Sequence, residues 1–260
     1  MIYHDITLEM EDGAIASLVL NKTDTRNALT RRMRSEIRRA VRTAPRLGAR
    51  ALVISASGDD FCSGQDLGDS ASLAELDLEG ILREEYEPML RAVYECPIPV
   101  VAAVNGTAAG AGANLALAAD LVIARDGAVF IEAFTRIGLI PDAGSTYWLP
   151  RQVGFARAMG AALLAEPIPA KTAAEWGMIW EVTAKSKFNA RVEEVAKKLA
   201  TGPTESYRLL KEAMRQSFDN TLDAQLDLEA SQQGKAGRTR DFREGVLALA
   251  EKRPPKFEGR

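Results

Sequence analysis

The stretch PVVAAVNGTAAGAGANLALAADLVIA, residues 99–124, decides the fold class of this chain. It begins with an apolar run typical of a buried strand, continues through small residues, and then carries a helical segment that leads into another apolar strand. Upstream, the runs AIASLVL (14–20) and ALVISAS (51–57) flank a segment in which apolar residues recur at helical spacing. Strands that alternate with helices predict an α/β fold with a parallel sheet.

The last third of the chain has a different pattern. From about residue 155 the spacing of apolar residues is helical throughout, for example in FARAMGAALLA and PTESYRLLKEAMRQSF. We therefore predict a helical subdomain there. Because no repeat or linker separates it from the α/β part, we expect the two parts to share one core.

Composition limits the class of protein. The 260 residues carry 33 Lys and Arg against 36 Asp and Glu, a net charge of −3 that disfavours nucleic acid as a partner. Polar residues interrupt segment 99–124, so it is not predicted to span a membrane. The two cysteines, Cys62 and Cys96, cannot form a disulfide framework, and the N-terminus lacks the pattern of a secretory signal. We expect a cytoplasmic protein.

Several common catalytic motifs are absent from the sequence. It has no GxSxG, GxxxxGK[ST] or HExxH motif and no GxGxxG after a strand, and its single histidine is His4. A serine triad, an NTPase loop and a metal site are therefore all disfavoured, and we expect no metal.

Two turns of small residues follow predicted strands: CSGQDL (62–67) and GTAAGAGA (106–113). Ligands of parallel α/β sheets bind at the carboxyl ends of strands, and small residues let a ligand approach the backbone. A helix that starts in the second turn would direct free N–H groups into the same crevice, so the two turns could hold one oxyanion. The alternative is that the glycines only permit close packing.

Three motifs occur in order along the chain: FCSGQDL (61–67), the stretch 99–124 and IGLIPDAGSTYWLPR (137–151), with EWGMIWEV (175–182) as a fourth. With them the chain resembles the enoyl-CoA hydratase/isomerase (crotonase) superfamily from about residue 5 to 255. The resemblance implies a spiral of ββα units over residues 1–200 and a C-terminal helical region, 201–260, for contacts in a homotrimer or homohexamer.

The resemblance also implies an acyl-CoA thioester as substrate, with no cofactor because coenzyme A is part of the substrate. It places an oxyanion hole at the backbone N–H groups of Gln65 and Ala111. An enolate formed beside the thioester carries its charge on the carbonyl oxygen, and backbone donors stabilise that charge. The residues implied to contact substrate or coenzyme A are Arg26, Ala28, Ser63, Gly64, Asp66, Leu67, Gly110 and Phe134.

The sequence departs from the water-adding members of this family. Their two glutamates fall on Asn114 and Phe134, and neither residue can act as a base. Asp142 stands where some family isomerases and a dehalogenase carry an acid, and a single carboxylate suffices to move a proton between two carbons. We predict Asp142 as the catalytic acid/base. Without the resemblance, Asp142 would be interpreted as the cap of a helix that begins near Ser145.

The neighbours of Asp142 in sequence suggest an apolar site. We expect Phe134, Ile140 and Pro141, with Trp148 or Phe130, to raise its pKa.

Two further side chains are candidates for the site. Glu132 is a second acid, which strand alternation would place on the same side as Phe134. Asn114 is predicted to orient substrate or water.

Within the family, the chain is most similar to the isomerases that convert ring-epoxidised phenylacetyl-CoA to the oxepin, a group that also moves double bonds in unsaturated acyl-CoA. Two alternatives stay open: a hydratase with atypical residues, and a non-catalytic member that binds CoA thioesters. The motifs that carry the likeness are AAGAGA (108–113), GLIPD (138–142), EWGMIW (175–180), LDAQLDLE (222–229) and REGV (243–246).

Overall fold

The computed structural model describes residues 2–12, 14–66, 68 and 77–260, which form nine strands and eleven α-helices. The strands are β1 (Ile6–Glu11), β2 (Ile15–Leu20), β3 (Ala51–Ala56), β4 (Val100–Val104), β5 (Thr107–Ala109), β6 (Leu121–Arg125), β7 (Val129–Ile131), β8 (Ile168–Pro169) and β9 (Glu181–Thr183). The helices are α1 (Arg31–Thr43), α2 (Leu78–Ile81), α3 (Glu87–Tyr94), α4 (Ala111–Leu117), α5 (Ser145–Val153), α6 (Phe155–Leu164), α7 (Ala170–Glu175), α8 (Phe188–Ala200), α9 (Thr204–Gln216), α10 (Leu222–Ala236) and α11 (Arg240–Ala250).

The main sheet has six strands in the order β1-β2-β3-β4-β6-β9. All neighbouring pairs are parallel except β1 with β2, which form an antiparallel pair at one edge. The parallel sheet predicted from the alternation of strands and helices is therefore present. The central strands β3 and β4 are largely apolar because both of their faces are covered, whereas the edge strands β1 and β9 carry polar residues.

Strand β3 illustrates how the two faces are used. Ala51 and Val53 belong to a buried cluster with α8, whereas Leu52 and Ile54 belong to the larger core. Because successive side chains of a strand point to opposite faces, this alternation places α8 on one side and the main core on the other. A shift of one residue would exchange the side chains that face these two clusters, which is what opposes a change of register.

A second, smaller sheet has the order β5-β7-β8. The chain passes from β4 in the main sheet to β5 in the small sheet and then into α4, and it repeats the pattern with β6, β7 and a 3₁₀ turn, Ala133–Ile137, before α5. This succession of strand, strand and helix is the repeat expected from the resemblance.

One expectation about the last third of the chain is wrong. The region after residue 155 is not helical throughout, because β8 joins the small sheet and β9 supplies the sixth strand of the main sheet. Both strands have at most three residues, too few for a strand period to stand out against the flanking helices.

The helices beyond residue 200 are tied to the α/β part by buried polar contacts. Lys211 Nζ on α9 donates to the carbonyl oxygens of Cys96 and Ile98, each at 2.7 Å, and forms an ion pair with Asp120 at 2.6 Å. Arg50 donates to Thr204 Oγ1 at 3.0 Å. The two parts therefore pack on one another, while the division at residue 200 stays a prediction.

A search of the described residues finds no helix with the length and apolar character needed to cross a bilayer.

Candidate active site

The two turns of small residues lie side by side. Cys62 pairs with Ala108 as in a parallel sheet, and Ala109 N donates to Cys62 O at 2.9 Å. The glycines make this approach possible: a Cβ on Gly112 would stand 2.6 Å from Cys62 Sγ, and a Cβ on Gly64 would stand 2.9 Å from Ala109 O. The glycines therefore do permit close packing of the two turns. That packing is also what a shared ligand site between the turns would require, so the two interpretations are compatible.

The proposed oxyanion donors point away from the protein hydrogen bonds that hold these turns. Leu29 N donates to Gly64 O at 2.7 Å and Leu29 O accepts from Asp66 N at 3.4 Å, so Gln65 presents its own N–H on the opposite side. Ala111 is the first residue of α4, and the ideal Cβ position of Gly64 is 3.8 Å from Ala111 N. Neither the Gln65 nor the Ala111 N–H has an acceptor within the described part of the chain.

The residues implied to contact coenzyme A lie beside the first turn. Ser63 N donates to Arg26 O at 3.0 Å, and Ser63 Oγ donates to Thr25 O at 3.1 Å. Arg26 is exposed and has a left-handed conformation with φ of 52°, whereas Ala28 is buried. The structure therefore brings residues 26–28 next to residues 63–66, and Leu67 lies outside the described residues.

Asp142 lies in the loop just before α5. The helix begins at Ser145 as predicted, but its cap is Gly144 and no side chain accepts a hydrogen bond there. Ser145 N donates to the backbone oxygen of Asp142 at 2.9 Å instead. The capping interpretation of the Asp142 carboxylate is therefore wrong, and this carboxylate has no hydrogen-bond partner among the residues that the structure describes.

The Asp142 side chain borders a cavity of about 580 Å³ whose wall is largely apolar and aromatic. Burial raises the pKa of Asp142 to about 6. The ring centroids of Tyr94 and Tyr147 each lie 5.3 Å from that of Trp148. The apolar and aromatic residues of the wall are Leu82, Tyr86, Leu90, Tyr94, Ile140, Pro141, Ala143, Tyr147 and Trp148.

Three expected neighbours of Asp142, Ile140, Pro141 and Trp148, line this cavity, but Phe134 and Phe130 do not. The Phe134 ring faces Gly110, with Cζ 3.6 Å from the ideal Cβ position of that glycine, and Phe130 is fully buried in the core.

The aromatic wall comes instead from residues that the sequence analysis missed, mainly Tyr86, Tyr94 and Tyr147. The spacing of four residues from Leu82 through Tyr86 and Leu90 to Tyr94 is the signal that could have identified Tyr86 and Tyr94.

Glu132 is buried behind the cavity wall, with 1% of its surface exposed. The expected strand alternation with Phe134 is wrong, because β7 ends at Ile131 and a 3₁₀ turn begins at Ala133. Ser145 Oγ donates to Glu132 Oε2 at 2.9 Å. Burial raises the pKa of Glu132 to about 7, although hydrogen bonds from Ser145 and Asn114 lower it.

Asn114 is fully buried on α4. Its Nδ2 atom lies 3.2 Å from Gly110 O, 3.2 Å from Asp142 O and 3.4 Å from Glu132 Oε2. The amide nitrogen is therefore used within the protein, while Asn114 Oδ1 has no partner among the described residues, and a role of this side chain in orienting substrate or water stays a prediction.

Comparisons with known proteins agree with this arrangement. A family model described as enoyl-CoA hydratase/isomerase matches residues 10–260. The chain is 55% identical to a "probable enoyl-CoA hydratase" of Rhodobacter capsulatus, over the full length of both chains. It is 41% identical to the 1,2-epoxyphenylacetyl-CoA isomerase of Escherichia coli, with 98% of this chain and 99% of the relative covered.

A solved structure of an enoyl-CoA hydratase from Bacillus anthracis superimposes with a TM-score of 0.91 at 28% identity, covering 99% of this chain and all of the other. The predicted crotonase-like α/β fold is confirmed by this match.

Proposed function

Since this chain belongs to the enoyl-CoA hydratase/isomerase family, we propose that it is an isomerase of acyl-CoA thioesters. The observation that carries the proposal is the placement of acids. Asp142 borders the aromatic cavity, and its carboxylate has no hydrogen-bond partner among the described residues. Asn114 and Phe134 stand where the hydratases of the family carry glutamates, and neither is an acid. One base facing the acyl group fits a proton shuttle better than the addition of water.

The backbone N–H groups of Gln65 and Ala111 hold the thioester carbonyl oxygen in this proposal. Removal of a proton from the carbon next to the thioester forms an enolate, whose negative charge lies on that oxygen. Two fixed donors stabilise the enolate more than the neutral thioester, and one such donor is typically worth about 10²–10³ in rate. Neither N–H has an acceptor among the residues that the structure describes, which supports this role.

Asp142 acts as base and then as acid. Its carboxylate takes the proton from the carbon beside the thioester and returns it further along the allylic system, so no second titrating group is needed. With a pKa of about 6, Asp142 is mostly ionised at pH 7 yet more basic than an ordinary aspartate. The reaction needs no cofactor, because coenzyme A enters as part of the substrate.

The cavity supports an acyl group that contains a ring or an unsaturated chain. Its wall presents the rings of Tyr94, Tyr147 and Trp148, which pack well on flat apolar groups. The relative from E. coli is named for an epoxidised phenylacetyl-CoA. Ring-epoxidised phenylacetyl-CoA and unsaturated acyl-CoA are therefore the proposed substrates.

Hydration is the second candidate, because the relative from R. capsulatus is named as a hydratase. In that case the Asp142 carboxylate alone would have to activate water and protonate the substrate. A third possibility is a member that binds CoA thioesters without turning them over.

An assay with a panel of CoA thioesters separates the three candidates. The panel contains 3-enoyl-CoA, 2-enoyl-CoA and ring-epoxidised phenylacetyl-CoA, and products are read by mass and retention time. We expect products of unchanged mass, because isomerisation adds no atoms. A product heavier by one water would replace the proposal with hydration, and binding without any product would indicate the non-catalytic member.

We also propose that the chain assembles as a homotrimer or homohexamer through residues 201–260. Large apolar side chains are exposed on α9 and α10, among them Met214 and Leu222. Exposed apolar area of this kind marks an interface. Light scattering is expected to give three or six times the mass of one chain and a lower value for Met214→Glu combined with Leu222→Lys. A wild-type protein with the mass of a single chain would contradict the assembly.

A further inference from the structure

Two buried oxygens beside Asp142 lack hydrogen-bond donors. Glu132 Oε1 and Asn114 Oδ1 are both inaccessible to solvent and have no partner among the described residues. The other oxygen of Glu132 accepts from Ser145, and the two N–H groups of the Asn114 amide are shared among three oxygens that lie within 3.4 Å of Nδ2. The amide orientation is thereby fixed, since a flipped Asn114 would face three oxygens with its own oxygen. A donor is what this pair of side chains needs.

We propose that Glu132 is a positioning residue that stands as a neutral carboxylic acid beside the Asn114 amide and thereby holds the Asp142 loop. The proton on Glu132 supplies the missing donor. This inference rests on the proposed role of Asp142 as the base, but its structural part can be tested without any substrate.

The contacts show how Glu132 acts on Asp142 at a distance. Asn114 Nδ2 lies within hydrogen-bond distance of both Glu132 Oε2 and the backbone oxygen of Asp142. Ser145, the first residue of α5, donates its hydroxyl to Glu132 Oε2 and its backbone N–H to Asp142 O. Both links reach the backbone of the loop that carries the Asp142 carboxylate. Glu132 is not among the residues that line the cavity, so it does not touch the acyl group.

The charge state of Glu132 follows from its surroundings. Of the elements that contact it, α4 contributes the Asn114 amide and α5 the Ser145 hydroxyl, neither of which titrates. Burial is the largest cause of the raised pKa of Glu132, and the negative charge of Asp142 raises that pKa further. A second negative charge behind the wall would oppose ionisation of Asp142, and a neutral Glu132 avoids this conflict.

The first test measures unfolding of full-length protein in denaturant at several pH values, for wild type and Glu132→Gln. A buried acid with a raised pKa stabilises the fold fully below about pH 4.5, and that contribution is lost as the pH rises to about 7. Glutamine supplies the same donor without titrating. We therefore expect the stability of Glu132→Gln relative to wild type to increase from pH 4.5 to 7. A constant difference would mean that Glu132 is charged, for example with a water donating to both oxygens, and would overturn the proposal.

The second test is the pH profile of kcat. In wild type, kcat is expected to rise as Asp142 ionises near pH 6 and to fall as Glu132 ionises above neutral pH. Glu132→Gln should keep the rise and lose the fall, whereas Glu132→Ala should lose about 10²-fold in kcat, as expected for a misplaced base. If Glu132→Gln abolishes turnover while binding is kept, Glu132 is itself the base and the inference is wrong. If wild type has no isomerase activity, the proposed function fails while the unfolding test still decides the state of Glu132.

Discussion

Replacement of Asp142 by asparagine is expected to lower kcat for isomerisation by about 10²–10⁴, the usual worth of a positioned acid/base. Asparagine has nearly the same shape, and the backbone oxygen that accepts from Ser145 and Asn114 is unchanged. The fold and the affinity for the CoA thioester should therefore be kept. Steady-state kinetics, with binding by calorimetry and thermal unfolding, measure the three quantities separately.

The control for this variant is Glu87→Gln. Glu87 is at the rim of the same cavity, but its carboxylate is exposed and paired with Arg91 at 2.8 Å. Loss of this charge is expected to change kcat little, because exposed ion pairs contribute little. Equal turnover by wild type and Asp142→Asn would remove Asp142 from the mechanism, and an equal loss in both variants would indicate a general effect of charge at the cavity.

The Gly64→Ala variant is expected to lose about 10²–10³ in kcat, comparable to removal of one oxyanion donor. The new Cβ would stand 2.9 Å from the carbonyl oxygen of Ala109, so the two turns must move apart. Gln65 and Ala111 lie on opposite sides of this contact, and separating them misplaces both N–H groups relative to one carbonyl oxygen. Kinetics with a good substrate, and the affinity for a thioester analogue of the enolate, report the loss.

Gly48→Ala provides a matched control for backbone strain. Gly48 has φ of 92°, close to the 98° of Gly64, and nothing lies within 4 Å of its ideal Cβ position. Both variants place an L residue in the left-handed region, which costs roughly 1–2 kcal/mol of stability. We expect Gly64→Ala to melt at a lower temperature than Gly48→Ala, because the contact with Ala109 O adds to the backbone strain that the two variants share, and we expect kcat to fall in Gly64→Ala alone. Unchanged kcat in Gly64→Ala would show that the turns tolerate displacement and that the oxyanion hole is misassigned.

Much of the fold could be read from local patterns. The apolar runs at 14–20, 51–57 and 99–105 are strands because each is buried on both faces, and such burial requires an uninterrupted apolar sequence. The start of α5 at Ser145 was also predicted, although the side-chain cap expected from Asp142 is absent. Strands β8 and β9 were not, because their pairing is made with distant strands and leaves almost no local pattern.

The candidate site divides in the same way. The motifs that contain positions 65, 111, 114, 134 and 142 carry the resemblance to the family, and that resemblance implied the candidate donors and the acid without coordinates. The spacing of Tyr86 and Tyr94 marks one side of a helix, but their contact with Asp142 could not be predicted, because they precede it by about fifty residues and meet it only after the chain has folded.

Sequence by itself determined the alternation of the central strands with helices, the small residues that allow two turns to touch, and the acid at position 142. Tertiary structure alone decided which side chains surround that acid and that Glu132 is buried behind it. The physical reason is that periodicity and residue size act between neighbours along the chain, whereas burial, hydrogen-bond partners and raised pKa values depend on groups that are distant in sequence and close in space.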